Sequence, residues 1–193
     1  MTILNIVTAP AEILERKAEA VDSFTPELQQ LINNMIETMR AANGVGLAAP
    51  QVGEGVRLAV IETLPEIDDE GRDIPESREL HVIINPEIYW RSRQMVEGVE
   101  GCLSIPGYVG EVERHDSIRV RALNRAGKQI DLRLKGWDAR IFQHEIDHLD
   151  GILYIDRLAD KDCFWTEEEF ETMLEKANEE SEQEDAPEQP RPV

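Results

Sequence analysis

Residues 117–134, SIRVRALNRAGKQIDLRL, constrain the fold more than any other stretch of the chain. Ile118, Val120 and Ala122 alternate with Ser117, Arg119 and Arg121, and Ile130, Leu132 and Leu134 alternate with Asp131 and Arg133. A period of two puts every apolar side chain on the same face of a strand. The intervening NRAGK supplies a turn, so the segment predicts a β-hairpin with one buried face. Directly after it the period changes. In GWDARIFQHEIDHLDG, Phe142, Ile146 and Leu149 recur at helical spacing and Gly151 ends the pattern. That predicts a buried helix of about 12 residues.

The flanking segments fill in an α+β domain. TPELQQLINNMIETMRAANG reads as a helix capped by Thr25, with Pro26 in its first turn, an apolar stripe from Leu28 to Met39 and a stop at Gly44. Strand-like runs begin at Arg57 and at Leu80, the second interrupted at Pro86. The polar stretch 63–79 predicts a surface loop. TEEEFETMLEKANEE predicts a last helix, capped by Thr166, with Phe170, Met173 and Leu174 facing inward. The expected organisation is a catalytic domain over 1–159, a C-terminal helix over 160–178 and a disordered acidic tail over 179–193.

The 193 residues are 41% apolar, enough for one domain with a real core. The net charge of −20 argues against broad phosphate binding and hence against direct nucleic-acid binding. Thirteen acids and three basic residues lie between Asp160 and Val193. No apolar run reaches a membrane span. MTILNIVTAP has no basic segment followed by an apolar one, so no secretory signal is expected and the default compartment is the cytoplasm. The two cysteines, Cys102 and Cys163, read as free thiols or a metal ligand rather than a scaffold.

His144, Glu145 and His148 form H-E-x-x-H. Four residues apart on a helix, the two imidazoles share a face and can hold one ion. Glu145, one step round, can reach a water beside that ion as general base. Two third ligands remain open. Glu168 lies 20 residues after His148, a spacing used by thermolysin-like peptidases, but it sits in a run of acids that also reads as a solvated face. Cys102 lies 42 residues before His144, in VEGVEGCLSIPG. GVGLAA from Gly44 also fits a dinucleotide fingerprint, yet it follows a helix where that fingerprint must follow a strand.

Three ordered segments, GVGLAAPQVG from Gly44, EGCLSIPG from Glu100 and QHEIDHLDG from Gln143, together resemble peptide deformylases. The family's motifs G-x-G-x-A-A-x-Q, E-G-C-x-S and H-E-x-D-H are all complete, and the resemblance covers the chain to about Leu158. It implies an α+β fold of antiparallel or mixed sheets packed around a central metal-binding helix, with a C-terminal helix. It implies Cys102, His144 and His148 as metal ligands, Glu145 as acid/base, and Gln51 with the Leu103 N–H as oxyanion donors. The backbone at Val45 and Gly46 would pair with the substrate.

The implied reaction removes the formyl group from the N-terminal formyl-methionine of newly made polypeptides and releases formate. The implied cofactor is one divalent ion, Fe(II) in the first place, with Zn(II), Ni(II) or Co(II) as substitutes. Substrate-pocket residues are expected at Val45, Gly46, Gly101, Trp137 and Ile141. Glu100 is expected to pair with Arg114 and steady the cysteine segment. Many bacterial deformylases carry Arg seven residues after the cysteine. Here that residue is Val109, which puts preference beyond the methionine in doubt. Some relatives reach the ribosome through a basic C-terminal helix. The acidic end of this chain would be repelled by RNA, so a transient ribosome contact is expected on another surface. The rival functions are a thermolysin-like endopeptidase using Glu168 and a non-catalytic metal-binding module.

Overall fold

The computed structural model describes residues 2–68 and 70–184. Helix α1 (Pro26–Ala41) starts where Thr25 Oγ1 accepts the Leu28 N–H at 3.3 Å, with proline in the first turn. That satisfies one orphan donor and places proline where its missing N–H costs nothing. The sequence puts the stop at Gly44, but the left-handed residue is Asn43, with φ 54°. Asparagine tolerates that conformation. Gly44 matters for space instead: a Cβ there would lie 2.9 Å from Leu103 Cδ1.

The strands follow as β1 (Gly46–Ala48), β2 (Leu58–Glu62), β3 (Glu66–Ile67), β4 (Asp73–Ile74), β5 (Leu80–Arg91), β6 (Met95–Cys102), β7 (Ile105–His115), β8 (Ser117–Leu123), β9 (Gln129–Lys135) and β10 (Phe164–Thr166). Helix α2 (Gly136–Leu149) follows β9, and α3 (Glu167–Glu184) follows β10. The main sheet has the order β1-β2-β5-β8-β9 and a second sheet the order β10-β7-β6, with antiparallel pairing throughout both.

The main sheet is covered on both faces over its first strands. Leu58 and Val60 of β2 join Ile32, Met35 and Met39 of α1. Ala59 and Ile61, pointing the other way, join Phe142, Ile146 and Leu149 of α2. The strand period of two decides which helix each residue meets. Every Leu or Ile fully buried in these clusters stabilises the fold by roughly 1.5–3 kcal/mol. The β8–β9 hairpin takes its predicted register, with Ile118, Val120 and Ala122 buried towards α2.

Three local expectations are corrected. Strand β5 runs through Pro86, and a register shift between Ile84 and Glu87 absorbs it, as a bulge allows. Asn85 sits there with φ 51°, and its side chain bonds the N–H and C=O of Val21 at 2.9 Å each. The 63–79 segment is not all loop, since β3 and β4 pair within it. Met173 and Leu174 do not face inward. They are 47% and 49% exposed, because α3 packs chiefly on β10 and β7 near its own start.

At that start, Thr166 and Glu169 cap one another reciprocally at 2.9–3.2 Å, a capping box. Phe170 stacks on Trp165. Helix α3 continues past the predicted end at 178 as far as Glu184, and residues 185–193 of the expected tail lie outside the described residues. The β6–β7 hairpin escapes sequence reading. Gly98, Gly101, Gly107 and Gly110 break the alternation that marks a strand.

Candidate metal centre and active site

Two elements bring the candidate metal-ligating groups together. Helix α2 stacks His144 and His148 on one face, with ring centroids 4.9 Å apart. Strand β6 delivers Cys102 at its last residue, where the pairing with β7 breaks register. Cys102 Sγ lies 3.2 Å from His148 Nε2, and the ligand atoms of Cys102, His144 and His148 all fall within 4.8 Å of one another. One soft thiolate and two imidazoles suit Zn(II) or Fe(II) with a position left open. Glu168 is not in this group. It belongs to the exposed first turn of α3.

Behind the ligands is a buried charge network. Glu100 accepts Arg114 Nε at 3.0 Å and Nη2 at 2.9 Å, Arg140 Nη1 at 2.8 Å and His144 Nδ1 at 2.9 Å. Holding the His144 Nδ1 proton leaves Nε2 free for an ion. Arg114 also bonds Asp147. Arg157 holds Asp147 from the other side at 2.5 and 2.7 Å. Burial opposes charge on Glu100, but hydrogen bonds from His144 and Arg114 outweigh it and hold the carboxyl far below the usual range. Burial likewise opposes charge on Arg114, and Glu100 more than offsets it, so its pKa is raised.

Arg140 was missed by the sequence reading. Its guanidinium bonds the carbonyls of Val96 (2.6 Å), Gly98 (3.2 Å) and Val112 (2.9 Å) as well as Glu100. It therefore straps the cysteine-bearing β6 and its partner β7 to the histidine-bearing α2. A Cβ on Gly98 would lie 2.9 Å from that guanidinium. Gly98 at fixed distance before the cysteine, and Arg140 one turn before His144, were the only signals in the sequence.

Glu145 is 4% exposed. Burial raises its pKa to about 7, against the partial opposition of the His144 charge. Its Oε2 is buried with no hydrogen-bond partner among the described residues, as is His148 Nδ1. Such an oxygen is costly unless a water or substrate meets it. The carboxylate leans on β1, where a Cβ at Gly46 would overlap it. Gln51 is oriented by its own carbonyl oxygen, which accepts the Ala48 N–H at 2.8 Å. Its Nε2 therefore points at Cys102 Sγ (3.5 Å) and Ser104 Oγ (3.2 Å). Ser104, the last residue of the E-G-C-x-S motif but given no role there, also donates its N–H to the Cys102 sulfur at 3.4 Å.

Gln51, Cys102, His144 and Glu145 line a cleft of about 510 Å³. Val45, Gly46, Gly101, Leu103, Trp137 and Ile141 border it, and so do Val99, Pro106 and Gly107, which the sequence reading did not name. Val109 does not border it; it pairs with Gly101 and Trp165. The dinucleotide alternative fails, because GVGLAA follows helix α1, itself contains strand β1, and opens only a single 3-10 turn at Ala49–Val52 where that fingerprint needs a strand before it and a full helix after it.

A family model for polypeptide deformylase matches residues 3–163. The chain is 50% identical to a peptide deformylase of Symbiobacterium thermophilum over 157 residues, 81% of this chain and 67% of that one. The crystal structure of peptide deformylase from Thermotoga maritima superposes with a TM-score of 0.73 at 37% identity, covering 83% of this chain and 100% of that one. A class I type b peptide deformylase from Acinetobacter baumannii, solved with Met-Ala-Ser bound, gives 0.72 at 34% identity, covering 81% and 99%. A match over this much of the chain, on a fold that assembles the same three motifs around one cleft, settles the kinship: the chain belongs to the polypeptide deformylase family.

Proposed function

We propose that Cys102, His144 and His148 hold one divalent ion and that Glu145 carries the proton in the family's reaction. That reaction removes the formyl group from the N-terminal formyl-methionine of newly made polypeptides and releases formate. The observation that carries this reading is the three-ligand cluster facing a buried, unpartnered Glu145 oxygen. When bound, the ion supplies a Lewis acid that lowers the pKa of a water towards about 7 and polarises the formyl oxygen.

The chain's own residues do the rest. Glu145 takes a proton at Oε2 and returns it to the leaving nitrogen, and burial, which favours its protonated form, suits a group that must hold that proton between the two transfers. Gln51 Nε2 and the Leu103 N–H are the oxyanion donors, preorganised groups worth roughly 3–4 kcal/mol each. Strand β1 is the edge of its sheet, so the backbone at Val45 and Gly46 can accept an extended peptide as an added strand. Val45, Gly101, Trp137 and Ile141 form walls for a methionine side chain. The Met-Ala-Ser held by the Acinetobacter baumannii relative has the matching sequence start. Glu100 and Arg114 hold the cysteine segment and His144 in place.

Fe(II) is the proposed native ion, with Zn(II), Ni(II) or Co(II) as substitutes. Among the described residues no helix is long and apolar enough to cross a membrane, and the proposed compartment is the cytoplasm. A transient ribosome contact completes the reading. Formate release from formyl-Met-Ala-Ser by the metal-loaded protein tests it. Glu145→Ala should keep the metal and lose about 10²–10⁴-fold in rate. No formate from the metal-loaded wild type would overturn it.

A further inference from the structure

The outward face of β5, β8 and β9 does not share the charge of the rest of the molecule. Residues 117–135 hold six basic residues and a single acid, in a chain of net charge −20, and β5 adds the exposed Glu87 opposite Arg121, so the face stays net basic. Arg119, Arg121, Arg133 and Lys135 alternate with the buried positions of the hairpin and are all exposed. Among the described residues none of the four forms an ion pair. Arg119 and Arg133 stand directly opposite in register, which brings their Cβ atoms to about 5 Å. Like charges opposite one another destabilise a sheet, and an anion between them reverses the sign.

Two exposed rings lie in the same face. Trp90 is 46% exposed with the Arg119 guanidinium 5.4 Å from its centroid. Tyr89 is 38% exposed with Arg121 at 4.8 Å, and its hydroxyl bonds Asp131, the one acid of the hairpin. Guanidinium forks match phosphate oxygens. Exposed rings beside them stack unpaired bases. The acids elsewhere are screened beyond about 8 Å at physiological salt, so a narrow strand can engage this face although the whole molecule is anionic.

We propose that this basic, aromatic sheet face is a docking surface for single-stranded RNA. The choice of RNA among polyanions rests on the functional reading above, since newly made polypeptides are presented by an RNA-rich particle. The opposite face of these strands packs on α2, so RNA bound here leaves the cleft open to substrate. Net charge alone predicts no nucleic-acid binding; the distribution of charge overrides it.

The test is fluorescence anisotropy of a labelled single-stranded RNA of about 16 nucleotides with the metal-loaded protein, in salt from about 50 mM upwards. Wild type should bind, weakening with salt. Arg119→Glu with Arg133→Glu should lower affinity at least about tenfold and flatten the salt slope by about 0.7 for each phosphate no longer neutralised. Trp90→Ala should lower it about tenfold because a base can no longer stack there. Formate release from formyl-Met-Ala-Ser and the circular dichroism spectrum should stay at wild-type values in the double variant, so loss of RNA binding is separable from loss of the site. No RNA binding by wild type at the lowest salt overturns the proposal. So does equal binding by the double variant, or binding to anionic phospholipid vesicles or polyglutamate in place of RNA.

Discussion

Replacing Arg114 by methionine probes the charge network that frames the site. The guanidinium is 4% exposed and makes two bonds to Glu100 and one to Asp147. Removing one member of a buried ion pair costs about 3–5 kcal/mol, because the remaining charge is left without its partner. Here neither carboxylate is fully orphaned. Glu100 keeps Arg140 and His144, and Asp147 keeps Arg157. The loss should therefore fall at the lower end, about 3 kcal/mol. Urea unfolding of metal-loaded and metal-stripped protein measures it, with Arg114→Lys falling between wild type and Arg114→Met.

The acid limb of stability is a second readout. The Glu100 carboxyl is held below its unfolded value. Its contribution is therefore complete above the ordinary glutamate pKa of about 4.3 and is lost as pH falls below it. With Arg114 gone, that acid-dependent loss should be shallower. A change under about 1 kcal/mol, the size expected of an exposed salt bridge, with an unchanged acid profile, would show that the network is not coupled as its geometry implies.

Gly46→Ala should keep the bound metal and lower kcat about 100-fold or more, since the new Cβ occupies the place of the Glu145 carboxylate; metal analysis alongside steady-state kinetics checks both. Cys102→Ser should weaken metal binding and abolish activity, while Glu168→Ala should leave both intact; the opposite pattern restores the peptidase reading. Gly151→Ala should destabilise by more than about 1 kcal/mol, because φ is 75° and the Cβ would meet Glu15 O at 2.6 Å; thermal unfolding measures the shift.

Periodicity alone made the β8–β9 hairpin, α1 and α2 legible, because each buries a single face and the apolar spacing records it. The spacing of His144 and His148 likewise placed both imidazoles on one side of α2 before any fold was known. Composition could not show the β6–β7 hairpin, where glycines replace the alternating side chains so that Arg140 and Tyr154 can approach Gly98 and Gly110. Nor could it show where the exposed half of α3 would lie, since helical spacing promises a partner surface without supplying one. Residue spacing alone left Cys102 and Glu168 both open as a third ligand; the motif resemblance pointed to Cys102, and tertiary structure adds the proximity. Both are within plausible sequence reach of His148, and only the closure of β6 against α2, held by Glu100, Arg114 and Arg140, brings the thiolate in and leaves the carboxylate in solvent. Local sequence fixes faces and periods. Which distant faces meet is set by the packing of the whole sheet, where burial and ion pairing across many residues are satisfied at once.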